Sequence, residues 1–215
     1  MEVKMMKNIL HANDSLAAEN RSYFEDNGIT AINIMASPGS GKTSMILGLF
    51  EELEGKAPVA VIEGDIASSI DAEKIDRLGK PVIQINTGGG CHLDANMIKT
   101  AVESLNLEKG TLLFIENVGN LVCPSSFDLG EDIKLVIASV PEGHDKPYKY
   151  TSMFEAADIV VLNKTDLLPY IDFDKESFYN GIRALNSKAE IVEICCKSGE
   201  GLEKLAQVLL GWKNK

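Results

Sequence analysis

Three short stretches of the chain combine residue types at spacings that suit phosphate and base chemistry. Ala36-Ser37-Pro38-Gly39-Ser40-Gly41-Lys42-Thr43 has the P-loop pattern, with Ala36 in place of the usual first glycine. Its small residues let successive backbone N–H groups turn inward around a polyphosphate, and the following helix adds its positive end. Pro38, Gly39, Ser40, Gly41 and Ser44 belong to this cradle. Lys42 is placed to contact the β- and γ-phosphates and Thr43 to ligate Mg²⁺. A glycine-rich turn is the bland alternative, but an apolar strand ends at Met35 and an amphipathic helix begins at Lys42. The second stretch, Asn163-Lys164-Thr165-Asp166, matches N-K-x-D. Guanine presents N1–H and its exocyclic amine side by side, so one carboxylate, Asp166, accepts both; adenine offers an acceptor at N1 and is repelled. The stem of Lys164 can lie along the base, and Asn163 can tie this loop back to the first. The third stretch, Cys196-Lys197-Ser198-Gly199, stands where a second base-contacting loop is expected.

Other candidates are metal-type residues. Cys91-His92 follows a triple glycine, and Cys123 lies in a later loop. Thiolate and imidazole suit Zn²⁺, Ni²⁺ or Cu. A tetrahedral site needs four donors; Cys123 can supply a third if its loop lies beside this one, and a two-fold axis that brings the same residues from a second subunit is another way to complete the half-site. An ordinary loop with a buried thiol is the alternative. Cys195 and Cys196 read as core residues at a strand end. Asp65, in Glu63-Gly64-Asp65, can orient a Mg²⁺ water or an attacking water. Glu116 ends an apolar strand, the usual position for a carboxylate behind the metal. On charge alone, the segment 142–150 reads as a solvated loop.

The elements that must position these loops are short apolar strands at 31–36, 58–63, 81–86, 111–116, 133–140, 158–163 and 190–195. Most are continuous β-branched runs, as in strands buried on both faces. Helical stretches lie between them, one opening on Asp94 as N-cap. The pattern predicts an α/β fold with a mostly parallel seven-stranded sheet and helices on both faces. No internal repeat or Pro/Gly/Ser-rich linker divides residues 1–215, so one domain is expected, with 1–28 as a helical extension. In that extension Ile9, Leu16 and Tyr23 recur every seven residues, with Ala12 and Phe24 nearby, predicting a face packed on the domain.

Composition narrows the classes of function. The chain has 215 residues, 45% hydrophobic and 25% charged, a globular balance. Its net charge of -11 makes it a poor sequence-independent binder of nucleic acid, because nothing offsets phosphate repulsion. Its apolar runs are far shorter than the roughly 20 residues of a membrane span, and its N-terminus lacks a signal-peptide core. A cytoplasmic protein is expected.

Together these stretches resemble the nickel-incorporation GTPases of the HypB family, accessory proteins of [NiFe]-hydrogenase maturation. The resemblance runs from about Asn8 to the C-terminus and is most specific in ASPGSGKTS, IEGDIAS, GGGCHLDA, IENVGNLVCPSSFDLGE, VPEGHDKPYKY and NKTDLL. The related urease accessory GTPase UreG carries Cys-Pro-His, whereas Cys123-Pro124 here precedes Ser125. The resemblance implies a SIMIBI-class P-loop GTPase that dimerises with GTP and binds Ni²⁺ or Zn²⁺ at the subunit interface. It implies Cys91, His92 and Cys123 as metal ligands and Lys149, with Lys146 nearby, as the lysine that senses the γ-phosphate. It also implies a HypA-like nickel chaperone and a hydrogenase large-subunit precursor as partners. The Cys-rich motif or His-rich tract of some members is missing from this chain, which has three histidines. Competing readings are a urease nickel-insertion GTPase, a P-loop small-molecule kinase and a metal-storage module with a structural nucleotide site. The kinase reading lacks the Arg-rich lid it needs, since residues 141–150 contain no Arg.

Overall fold

The computed structural model describes residues 2–65, 75 and 79–213, with side chains from residue 11 onward. Ile9 and the last three residues of the IEGDIAS stretch therefore lie outside the described side chains. In chain order the main elements are α1 (Glu2–Asn27), β1 (Thr30–Ala36), α2 (Lys42–Leu53), β2 (Val59–Asp65) and β3 (Val82–Asn86). They continue with α3 (Ala95–Ser104), β4 (Leu112–Glu116), β5 (Ile133–Ser139), α4 (Lys146–Lys149) and α5 (Thr151–Glu155). β6 (Ile159–Asn163), α6 (Lys175–Leu185), β7 (Glu190–Glu193) and α7 (Leu202–Lys213) complete the chain. All seven expected strands form one sheet in the order β3-β2-β4-β1-β5-β6-β7. Every strand pairing within it is parallel.

β1 lies between β4 and β5, so connections leave it in opposite directions, which opens a ligand crevice at the carboxyl ends of the strands. Strand alternation divides the core. Ile32, Ile34 and Ala36 face α2 and α7. Ala31 and Met35 point to the other face, toward two separate apolar clusters. Asn33 shares that second face and is fully buried. Asp94 caps α3 as expected, accepting from the Met97 N–H at 2.8 Å. Where charge alone suggested a solvated loop, α4 forms and docks on α6: Tyr148 Oη donates to the Ser177 carbonyl at 2.9 Å. The close approach of Gly181 permits this, since a Cβ there would lie 2.8 Å from the Tyr148 ring.

α1 packs on the domain, but not through the seven-residue stripe. Leu16 is only half-buried, Ala12 is exposed and Tyr23 is 43% exposed. The buried face is Asn13, Ala17, Asn20 and Phe24, which follows the three- and four-residue spacing of an α-helix. Two of these residues are polar because they close backbone hydrogen bonds. Asn13 Nδ2 donates to the Asp128 carbonyl at 2.8 Å, and its Oδ1 accepts from the Ala95 N–H at 2.9 Å. Asn20 Nδ2 donates to the carbonyls of Ala95 and Leu129, both at 2.9 Å. Asn20→Ala would take the donor from two buried carbonyls, a loss of about 1–3 kcal/mol. Its urea midpoint is expected to fall with an unchanged slope. Among the described residues no helix is long and apolar enough to cross a membrane.

Candidate functional site

The phosphate loop leaves β1 where the sheet order reverses. Gly39 (φ 73°) and Gly41 (φ 105°) take the left-handed conformations that turn the backbone around a phosphate. At Gly41 a Cβ would also overlap the Asn163 amide nitrogen. Ser40 is fully buried, and its hydroxyl donates to the Ser37 carbonyl at 2.9 Å. Thr43 lies in the first turn of α2, and its hydroxyl donates to Glu116 Oε1 at 3.0 Å. Glu116 is 5% exposed and lies in register with Glu63 of the neighbouring strand. Pro38, Lys42, Glu63, Asp65, Glu116 and Gly119 line one cavity of about 250 Å³. Lys42, Thr43, Asp65 and Glu116 are thus brought together. A hydroxyl and carboxylates at the mouth of the cradle are the hard oxygen donors that Mg²⁺ prefers.

The residues expected to read a base meet in a neighbouring cavity of about 420 Å³, lined by Ser44, Lys164, Asp166, Cys196 and Lys197 among others. Asn163, at the end of β6, is buried and locks three loops together. Its Nδ2 donates to the Ser40 carbonyl at 2.9 Å. Its Oδ1 accepts the Lys164 and Cys196 N–H groups at 2.7 and 3.3 Å. Lys164 has φ 61°, a left-handed conformation rare for a residue with a side chain. Its ammonium donates to the Gly39 carbonyl at 2.6 Å, so its stem spans from the base loop to the phosphate loop. Cys195 is buried, as expected, but Cys196 is only half-buried and forms part of the cavity wall. Burial pushes the Cys196 thiol up to about 11, which keeps it neutral.

The metal-type residues also converge. Cys91, His92 and Cys123 each bring a ligand atom within 4.8 Å of the others. Cys91 Sγ lies 3.5 Å from His92 Nδ1. The hydrogen bond to Cys123, with a smaller contribution from burial, raises the Cys91 thiol. Burial lowers His92, favouring the neutral imidazole that binds metals. The His92 ring stacks on Phe127 with centroids 3.7 Å apart, which orients it. Phe127 escaped the sequence reading because nothing in the chain announces which aromatic meets which histidine.

Lys149 lines neither the phosphate nor the base cavity. It sits on α4, 63% exposed, and pairs with Asp145, which raises its ammonium. Lys146 pairs instead with Glu142 at 3.6 Å and lies over the Tyr150 ring.

A parallel sheet with a glycine-turned phosphate loop at its switch point, backed by a buried carboxylate, defines a P-loop nucleotide-binding protein of the NTPase class. Comparison with known proteins narrows the class. Residues 30–193 match the CobW/HypB/UreG nucleotide-binding domain. The chain is 50% identical over 201 residues to the hydrogenase maturation factor HypB of Rhizobium leguminosarum bv. viciae, covering 94% of this chain and 67% of that protein. The crystal structure of HypB from Helicobacter pylori in complex with nickel matches with a TM-score of 0.90 at 39% identity, over 94% of this chain and 95% of that one. HypB from Archaeoglobus fulgidus matches with a TM-score of 0.89 at 38% identity, over 95% of this chain and 100% of that one. The chain belongs to the HypB branch of the CobW/HypB/UreG family.

Proposed function

We propose that the chain is a GTP-hydrolysing nickel metallochaperone for [NiFe]-hydrogenase maturation, whose GTP-dependent dimerisation controls a metal site at the subunit interface. One observation carries this reading. The segment that begins at Glu116, behind the Thr43 hydroxyl, ends at the Cys123 thiol, so the phosphate cavity and the metal residues share one stretch of chain. Asp166, Lys164, Asn163 and Lys197 bind the guanine, while Pro38 through Ser44 cradle the phosphates. Thr43, backed by Glu116, holds Mg²⁺, which neutralises charge on the phosphates when bound. Lys42 holds the β- and γ-oxygens, and Asp65 orients the attacking water. Cys91, His92 and Cys123 hold the cargo, Ni²⁺ or Zn²⁺, as one ion per dimer. A HypA-like nickel chaperone and the hydrogenase large-subunit precursor are the partners, with no nucleic acid or membrane involved. The protein works in the cytoplasm as one domain over residues 1–215, with 1–28 as its helical extension.

Two chains of charge -11 repel each other, so association needs a local attraction that GTP supplies. Lys149 provides it by exchanging Asp145 for a γ-phosphate, in its own subunit or across the interface. By linkage, the factor by which GTP tightens the dimer is the factor by which dimerisation tightens GTP. Loss of the γ-phosphate then loosens the interface and exposes the ion. The test is turnover of GTP against ATP, and oligomeric state by sedimentation with GDP or a non-hydrolysable GTP analogue, each with and without nickel. Lys149→Ala is expected to bind GDP normally but to lose analogue-induced dimerisation and most GTP turnover. A dimer as tight as wild type would remove this lysine from the mechanism. Turnover of ATP as fast as GTP would instead favour the kinase-type reading.

A further inference from the structure

A chain of buried polar groups runs from beside the phosphate cavity to the residue that follows the Cys91–His92 pair. Its centre is Asn117, 1% exposed and adjacent to Glu116. Asn117 Oδ1 accepts two backbone N–H groups, from Val118 at 3.0 Å and from Leu93 at 3.1 Å. Its Nδ2 donates to Asn33 Oδ1 at 3.1 Å. Asn33 Nδ2 donates in turn to Glu131 Oε1 at 3.1 Å, and Glu131 Oε2 accepts the Leu129 N–H at 2.7 Å. From Leu93 through Asn117 and Asn33 each group donates to the next, and Glu131 ends the chain as an acceptor from both sides, so the Asn117 amide cannot flip without breaking several bonds at once. Burial makes each such break costly.

The geometry couples two regions that the chain does not connect locally. On one side, Val118 and Gly119 line the cavity that holds Lys42 and Asp65. Gly119 also packs on the phosphate loop, where a Cβ would lie 3.0 Å from Pro38. On the other side, Leu93 directly follows His92, and its fully buried side chain fills the space above Gly64, where a Cβ would lie 2.8 Å away. Asp65 comes next. The far flanks of both metal loops are pinned by α1, through the Asn13 and Asn20 bonds to residues 95, 128 and 129. Any displacement of residues 117–119 is therefore taken up near Cys91 and His92.

We propose that the Asn117 carboxamide, held by Asn33 and Glu131, is the positioning group that transmits nucleotide state to the Cys91–His92 loop. This rests on the nucleotide-gated metal site proposed above. Asn117 itself borders the phosphate cavity, and its carboxamide fixes where Leu93, and so the ligand pair, sits relative to the γ-phosphate side of that cavity. Allosteric coupling between two sites is commonly about 5–150-fold in affinity.

The test is nickel affinity of the full chain, by competition with a chromophoric chelator, in the presence of GDP and of a non-hydrolysable GTP analogue. The readout is the ratio of the two affinities. Wild type is expected to show a ratio of about fivefold or more. Asn117→Ala is expected to bring the ratio within about twofold of unity, each affinity being measured at saturating nucleotide. Asn33→Ala, which frees the Asn117 amide but keeps its oxygen near Leu93, is expected to lower the ratio partly. It serves as the informative variant if Asn117→Ala does not fold by circular dichroism. A wild-type ratio of one overturns the nucleotide-gated reading and the relay with it. A wild-type ratio retained by either folded variant overturns the relay alone and leaves the gated reading standing.

Discussion

Asp166→Asn is expected to weaken GTP binding by about 10²-fold and to turn preference toward xanthine nucleotides. The carboxylate is proposed to accept both guanine donors, and an amide in its place sets a donor against one of them. A mismatched polar pair shielded from water costs about 1–3 kcal/mol, and more when one partner is charged. Xanthine has a carbonyl where guanine has its amine, so the amide regains a matching acceptor. Asp166 is exposed and lines its cavity, while Asn163 and Lys164 hold its loop against the phosphate loop. The fold should therefore tolerate the change. Titration with fluorescent GTP, ATP and XTP analogues checks the prediction. Wild-type GTP affinity in the mutant would show that this loop does not read the base.

The double variant Cys91→Ala, Cys123→Ala is expected to lose nickel affinity by about a hundredfold or more. Even groups that only support a ligand are worth 10–100-fold in metal affinity, and this variant removes two ligands outright. GDP binding should stay within about twofold of wild type, because neither thiol lines the phosphate or base cavity. Wild-type binding should also depend on pH with a definite sign. The ligating forms are thiolate and neutral imidazole, so the metal must displace protons. The Cys91 thiol is raised by Cys123, so it holds its proton to higher pH and metal affinity climbs as pH rises. His92 is lowered, so its proton competes only at more acidic pH, and the raised Cys91 thiol governs the dependence above it. Calorimetry in buffers of different ionisation enthalpy counts the protons released. Full nickel binding by the double variant would show that the ion sits elsewhere.

Much of this site could be read from the chain because its parts are local. A P-loop is eight consecutive residues whose backbone needs glycines at Gly39 and Gly41, and N-K-x-D is four. Their positions after apolar strands place them on one sheet edge. Asp94 was legible as a helix cap for the same reason, since its partner is three residues away. The buried face of α1 was not. Seven-residue spacing of apolar residues pointed to Leu16 and Tyr23, while the helix buries two asparagines instead. That choice depends on carbonyls of Ala95, Asp128 and Leu129, which no local pattern reveals. A usable signal existed in Asn13 and Asn20, polar residues at the same helical phase as Ala17 and Phe24. Asn33, a lone amide inside the apolar run AINIMA, was a second.

By itself the sequence determined the α/β class, the seven strands, the phosphate and base loops, and the residue types available to a metal. Only the tertiary structure decided that Cys123 joins Cys91 and His92, that Phe127 stacks on the imidazole, and that Asn117 bonds both Leu93 and Asn33. It also put Lys149 on a short helix beside Asp145, outside the phosphate cavity. The division follows from physics. Backbone conformation and strand or helix period are set by near neighbours, so motifs built on them are written in consecutive residues. Hydrogen bonds and ring contacts between loops exist only after the sheet has ordered β2, β4 and β1 side by side. That order is set by how apolar faces pack together.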